Sequence, residues 1–198
     1  QNAPSASASQ YLKNSLIQNL GKLAYVTREQ KNFPEAIKYY NKRLPLLEEE
    51  GRMLELASTL NAIGSSYENN YDFDNAIKYF KKSLKVREEE GIQTEMVYTL
   101  LRIGFSYEGK GDLSNSLKFH KKSLEVSKEM GNKSGIARSL NNIGSTYFKQ
   151  GNISEALNFL YQSLKLREEL GDKHALAFAF SNIGSIYSSQ GDLSRALE

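Results

Sequence analysis

The chain has no cysteine, only two histidines, and a net charge of only +3 over 198 residues. Without cysteine there is no disulfide, no thiolate metal site and no cysteine nucleophile, although this leaves the compartment open. No apolar run reaches the roughly 18–20 residues that a membrane-spanning helix needs. Lysine and arginine are interleaved with glutamate throughout, so no one-sided basic field of the kind that grips nucleic acid is present. Nucleophile motifs, a Walker loop and the HExxH zinc pattern are missing too. The expectation is therefore a non-enzyme without metal or cofactor. Of the two histidines, His120 falls where other stretches place Tyr40, Phe80 and Leu160, which reads as a packed core residue, and His174 reads as a solvated residue opening a helix. Gly109-Lys110-Gly111 faintly resembles a phosphate loop, but it aligns with Asn69-Asn70-Tyr71 and Lys149-Gln150-Gly151 and reads as an inter-helix turn.

What the chain does have is a repeat. A shift of forty residues lays Asn142-Ile143-Gly144-Ser145 on Asn182-Ile183-Gly184-Ser185, and Ile143-Gly144 on Ile103-Gly104 and Ile63-Gly64. A fixed period in this range fixes the architecture before any other signal. Residues 1–10 are small and polar and read as a flexible leader. The units are then 11–50, 51–90, 91–130, 131–170 and a partial 171–198. In each, a small residue (Ala24, Gly64, Gly104, Gly144, Gly184) follows a large apolar one by four positions (Leu20, Leu60, Leu100, Leu140, Phe180). It follows another by one (Leu23, Ile63, Ile103, Ile143, Ile183), and Tyr67, Tyr107, Tyr147 or Tyr187 comes three later, with Thr27 in the first unit. These offsets mark one face of a helix, and the small residue lets a second helix approach.

That second helix begins after a break at Asn70-Tyr71-Asp72, Gly111-Asp112, Gly151-Asn152 or Gly191-Asp192. Glycine followed by Asp or Asn is helix-stop and helix-start chemistry. Asn32 with Glu35, and Asn152 with Glu155, have capping-box spacing, and Pro34 suits a first turn. The apolar stripe is Ala76, Ile77, Phe80 and Leu84, repeated as Ala36, Ile37, Tyr40 and Leu44, as Ser116, Leu117, His120 and Leu124, and as Ala156, Leu157, Leu160 and Leu164. The helix ends at Gly51, Gly91, Gly131 and Gly171. Glu48–Glu50, Glu88–Glu90 and Glu168–Glu169 lie against the helix dipole at those ends and read as a solvated outer ridge, with an acidic docking edge as the functional alternative. The fold expected is an all-α solenoid of antiparallel helix pairs with about four and a half repeats.

The pattern Ile-Gly-x-x-Tyr, Gly-Asp/Asn, Ala-Ile/Leu and a large residue four after the Ala resembles the tetratricopeptide repeat, in the forty-residue form seen in kinesin light chains, Pins-type adaptors and bacterial sensor arrays. Departures are Leu or Phe at the family's Trp position, and Arg43 where later units have Ser83, Ser123 and Ser163. Unit one also lacks the Tyr and the Gly-Asp turn, so it is expected to act as an end cap.

The resemblance implies that the first helices line a concave groove, and it carries a binding role over to particular positions. These are Ser58, Asn61, Ala62 and Ser65; Tyr98, Leu101, Arg102 and Phe105; Arg138, Asn141, Asn142, Ser145 and Phe148; and Phe178, Ser181, Asn182 and Ser185. They lie off the Leu-Ile-Gly-Tyr stripe and are expected outside the core. Asn can pair with a peptide backbone, and Arg102 and Arg138 are candidates for recognising an acidic partner or a C-terminal carboxylate.

The function expected is a protein–protein interaction scaffold holding a peptide or partner segment. The alternative is a sensory or regulatory input domain of a larger protein, attached to a histidine kinase, a cyclase or a transcription regulator. An RNA-binding reading is disfavoured because Asn and Ser, not basic residues, dominate these positions. No nucleic acid or membrane insertion is expected. The chain starts with Gln, leaving the compartment open between cytoplasm and, if a signal peptide preceded it, periplasm. Its last residues stop about seven positions into a second helix, so the reading is a part of a longer protein, with end-to-end self-association possible at that edge.

Overall fold

The structure, a computed structural model, describes residues 6–93 and 95–197, with side chains from residue 7 to residue 196. The described residues form helices and turns only. They fall into two compact units. The first holds α1 (Ala6–Glu29), α2 (Phe33–Glu49), α3 (Met53–Asn69) and α4 (Phe73–Glu89). The second holds α5 (Met96–Gly109), α6 (Leu113–Glu129), α7 (Lys133–Lys149), α8 (Ile153–Leu170), α9 (Lys173–Ser189) and α10 (Leu193–Leu197). Odd-numbered helices are the first and even-numbered helices the second members of each pair, and consecutive helices within a unit pack on one another.

The turns follow the chemistry read from the sequence. Asp72, Asp112, Asn132 and Asp172 each accept a hydrogen bond from the backbone N–H three residues on, satisfying a helix N-terminus. Asn32 does the same for Glu35 at 3.4 Å. Asn152 has capping-box spacing but makes no side-chain cap bond, so that reading fails there. Gly111 and Gly151 take φ of +77° and +81°, a region that costs L side chains. Unit one has no glycine at this turn, and Lys31 adopts φ of +60° instead, as does Tyr71 in the next turn. The expected leader is corrected in part: residues 6–10 are the opening turns of α1, and residues 1–5 lie outside the described residues. The Ala and Ser there do not oppose a helix that its neighbours have already nucleated.

The two periodic stripes meet as the core. Ala24, Ala36, Ile37, Tyr40 and Ile63 form one cluster of unit one, and Ile17, Leu47, Leu56 and Leu60 another. In unit two the clusters are Leu124, Leu140 and Ile143, and Ala156, Leu160, Ile183 and Ile186. Each such aliphatic side chain contributes roughly 1.5–3 kcal/mol when fully buried. Two stripe positions depart from expectation. Leu23 and Phe180 are each about half exposed. Leu140, the counterpart of Phe180, is packed by Phe159 and Leu166 of α8, whereas the described part of α10 is five residues long and gives α9 less cover.

Close approach between the paired helices has three recurring devices. The first is the glycine: a Cβ on Gly64, Gly104 or Gly144 would lie 2.7 Å from Phe80, 2.3 Å from His120 or 2.8 Å from Leu160. The second is a hydroxyl. Ser83, Ser123 and Ser163 donate to the carbonyls of Ala57, Val97 and Ala137, each 26 residues earlier, at 2.7, 3.3 and 2.7 Å. Arg43, the departure in unit one, sends its Nε to the carbonyl of Ile17, also 26 residues earlier, at 3.1 Å. It thus replaces the serine and uses its remaining donors on Thr59 and Glu55. The third is a stack: Tyr67 on Tyr79, Tyr107 on Phe119 and Tyr147 on Phe159, all with centroids 5.5 Å apart.

The acidic ends of the second helices are largely solvated. Lys13 pairs with Glu49 and Glu50 at 2.6 and 2.8 Å, and Lys133 with Glu169 at 3.3 Å. The exposed Lys133–Glu169 pair contributes little.

Two stability outcomes follow from this packing. Gly104→Ala gains helix propensity worth about 1 kcal/mol but drives its Cβ into the His120 ring, and overpacking of this kind costs about 1–3 kcal/mol. A net loss in urea-denaturation stability is expected; unchanged or increased stability would show that α6 can move aside. Lys31→Gly, at an exposed left-handed position, is expected to add about 0.5–1 kcal/mol in the same assay.

Candidate binding face of the first helices

In unit one, Asn61 and Ser65 on α3 are half-buried. Ser58 and Ala62, beside them, line a cavity of about 510 Å³ whose far wall is Tyr25 and Val26 of α1, with Arg43 and Tyr40 also lining it. Arg43 is fixed there by the three hydrogen bonds already described.

In unit two the predicted positions on α5, α7 and α9 differ in exposure. Tyr98 and Phe105, two turns apart on α5, are 44% and 41% exposed. Phe178 of α9 is 71% exposed. Arg138 and Ser185 are exposed, while Asn141, Ser145, Phe148 and Asn182 are half-buried. Arg102 is half-buried, and burial pushes its guanidinium down from the usual range.

Leu101 and Asn142 are corrections. Leu101 is 2% exposed and Asn142 7%, so both belong to the interior. The expectation treated each first helix as packing only against second helices. In fact α5 touches α7, and α7 touches α9, so the flank between core and open face has neighbours of its own. Asn182 marks that contact by donating from Nδ2 to Asn141 Oδ1 at 3.1 Å. Among the described residues the buried Asn142 Nδ2 has no acceptor.

Phe105 links this face to a buried polar group that the sequence reading did not single out. Its ring meets His120 edge-on, with centroids 5.4 Å apart. His120 is fully buried, as expected, but its Nε2 also lies 3.6 Å from Glu108 Oε1. The same carboxylate accepts from Thr146 at 2.6 Å, from Ser116 at 3.2 Å and from Lys149 at 2.6 Å. Burial alone would push the Glu108 carboxyl up; the nearby His120 ring with the Lys149 and Thr146 donors outweighs it and holds the group at about 2. The signal was present in the sequence: Ser116 and His120 are polar at two stripe positions, four apart, that other units fill with Ala and a large apolar or aromatic residue. Both hydroxyls address the carboxylate rather than the imidazole, so no nucleophile–base pair is formed. Among the described residues, no cluster of His, Asp and Glu is arranged to hold a metal ion. No described helix is long and apolar enough to cross a membrane.

Because the Glu108 carboxyl is depressed, its stabilisation is fully present above the ordinary carboxyl value of 4.5 and is lost as pH falls through about 2. Glu108→Gln is expected to cost roughly 2–3 kcal/mol at pH 7. That difference should hold down to about pH 4.5 and shrink toward pH 2, read from urea midpoints of parent and variant. A difference independent of pH would assign Glu108 a packing role alone.

A family model described as tetratricopeptide repeat matches residues 15–89, 95–169 and 136–198. No curated protein matches the chain in sequence. Among solved structures, BtubC (BKLC) from P. vanneervenii aligns with a TM-score of 0.79 at 18% identity, over 93% of this chain and 76% of that one. The putative kinesin light chain TPR-like repeats of Podosopora anserina give 0.73 at 10% identity, over 91% and 90%. The Rap conjugation gene regulator of the plasmid pLS20, in complex with the Phr* peptide, gives 0.73 at 17% identity, over 99% of this chain and 54% of that one. At these identities the likeness is one of fold.

Proposed function

The chain belongs to the tetratricopeptide repeat family, and on that premise we propose that it is a protein-interaction scaffold holding a peptide or an extended partner segment against its first helices. The observation that carries this reading is the exposed aromatic content of α5 and α9. Tyr98, Phe105 and Phe178 are exposed on first helices of the unit that also carries the exposed Arg138 and the half-buried Asn141, Ser145 and Asn182. Apolar area beside a few polar groups is the composition of a surface that takes side chains from a partner.

The Rap regulator of similar fold, solved with its Phr* peptide, supports a peptide as the ligand class.

The test is a random-peptide library panned against the parent and against a variant carrying Phe105→Ala and Asn182→Ala, both shown to be helical by circular dichroism. Peptides retained by the parent are expected to bind the variant at least about tenfold more weakly, since each lost contact is worth about 1 kcal/mol or more. Equal binding to both, or none to the parent, overturns the reading.

A further inference from the structure

One flank of α1 carries an apolar seam. Leu12, Leu16, Leu23 and Val26 are 48–60% exposed, with the exposed Asn19 between them. Successive members stand four, three, four and three residues apart, the spacing of a coiled-coil seam. Forty residues on, the addresses of Leu16, Asn19, Leu23 and Val26 hold Leu56, Thr59, Ile63 and Ser66 of α3, all buried, and α2 packs on α3. The same addresses are buried in α9, as Ala179, Ile183 and Ile186, with α8 packed on it. This flank is therefore where a preceding second helix stacks, and in α1 it is open. Two features set α1 apart. The helices α3, α7 and α9 each start two residues after a glycine of positive φ, Gly51, Gly131 or Gly171, whereas α1 starts at Ala6 and runs unbroken through the equivalent Tyr11 and Leu12. The tight turn that delivers a second helix to the flank is thus missing, and the longer helix extends the seam by Leu12. The small Thr59 and Ser66, which let a second helix come close, are also replaced by Asn19 and Val26. A solenoid end keeps a polar face for solubility, and this flank is mostly aliphatic.

We propose that this seam is a self-association face, on which α1 of a second copy of the chain lies parallel and in register to form a two-fold dimer. The occupant follows from Asn19. A wholly apolar helix laid on the seam would bury its amide without a partner, which is costly. In a parallel pair each residue meets its own copy: leucine meets leucine, valine meets valine, and Asn19 meets Asn19, each amide offering the other a donor and an acceptor. An antiparallel pair sets Asn19 against Leu16 or Leu23 instead. The one bond Asn19 makes, from Nδ2 to Ser15 Oγ at 3.4 Å, does not use its carbonyl. The flanks fit as well. Across a parallel pair Lys13 falls opposite Ala8 and Lys22 opposite Thr27, so no like charges meet. Two heptads are short for an isolated coiled coil, because the contacts must also offset the cost of forming the helices. Here α1 is already held in unit one by its buried Ile17, Leu20 and Ala24, so it enters the pair preorganised.

The experiment is analytical ultracentrifugation of the full chain across about a hundredfold range of concentration. The parent should pass from monomer to dimer and stop there, as a closed two-fold contact requires. A variant carrying Leu16→Lys and Leu23→Lys, both at exposed positions, should keep the parent's urea midpoint and weaken the dimer at least about a hundredfold. Because the chain has no cysteine, single cysteines report the alignment. Leu12→Cys and Val26→Cys should each form a disulfide with its own copy on mild oxidation, which a parallel, in-register pair brings within reach and an antiparallel pair does not. A parent that stays monomeric throughout overturns the proposal and leaves the seam to a helix of another protein. A dimer that survives the two lysines, or one in which neither cysteine crosslinks, overturns it too. So does assembly that keeps growing with concentration and is dispersed by Phe180→Ser, which would place the contact at the exposed edge of α9.

Discussion

The structure depends on how closely the two helices of a repeat can approach. Each first helix offers a bare backbone at Gly64, Gly104 or Gly144, and each second helix fills the space with Phe80, His120 or Leu160. The serine hydroxyl one turn further along donates to a carbonyl of the facing helix 26 residues back. A helix carbonyl is already bonded within its own helix, so this second donor uses its spare lone pair and costs the helix nothing. The steric fit and the hydroxyl together fix separation and register, leaving the Tyr–aromatic stacks to close the solvent edge. Arg43 shows that the requirement is for a donor at that place, since its Nε reaches the equivalent carbonyl of Ile17 from a much larger side chain. Its bulk is accommodated beside Gly21, where an added Cβ would lie only 3.2 Å from Nε.

Repeat three meets the same constraint differently. In place of an Ala and a large apolar residue, α6 presents Ser116 and His120, and the end of α5 supplies Glu108. Burying a carboxylate is costly unless its lone pairs are filled. Here Thr146, Ser116 and Lys149 fill them, and two of those three come from α7, the next repeat. The group is therefore a polar bond between successive repeats as well as within one. It also stands directly behind Phe105, so one ring is shared between the proposed binding face and the interior of unit two.

Periodicity made much of this legible. The stripe through Leu100, Ile103 and Gly104, and its copies, named most of the core, because a contact that recurs every forty residues must be made by the repeat itself. The caps at Asp72 and Asp112 were equally readable, since their chemistry is local, although Asn152, read on the same grounds, makes no cap bond. In the core, what failed was whatever depends on a neighbour outside the pair. Leu101 and Asn142 were placed off the core because helix periodicity locates a residue on one helix and says nothing about the first helix beside it. Arg167 was passed over for a related reason. Its position holds Leu47, Arg87 and Ser127 in other units, so only Arg87 repeats it, donating to Ser83 as Arg167 does to Ser163, and its setting appears only when Arg138 and Asp172 are seen across the same cavity between α7, α8 and α9.

This division has a physical consequence for recognition. Position 98 of α5 recurs as Arg138 on α7 and Phe178 on α9: a Tyr, an Arg and a Phe at one address on three helices. None of the three is buried, so exchanging them changes the chemistry of the proposed binding face without opening a cavity in the core. Six residues later on the same helices, Gly104, Gly144 and Gly184 do not vary, because a Cβ at the first two would overlap its neighbour. A repeat built this way can change the chemistry of its exposed face at the cost of almost no stability, provided the supporting side chains are held from behind. Ser163 holding Arg167 is such a support: the hydroxyl that sets helix spacing also aims a guanidinium into the cavity, joining the fold's most regular contact to its least regular surface.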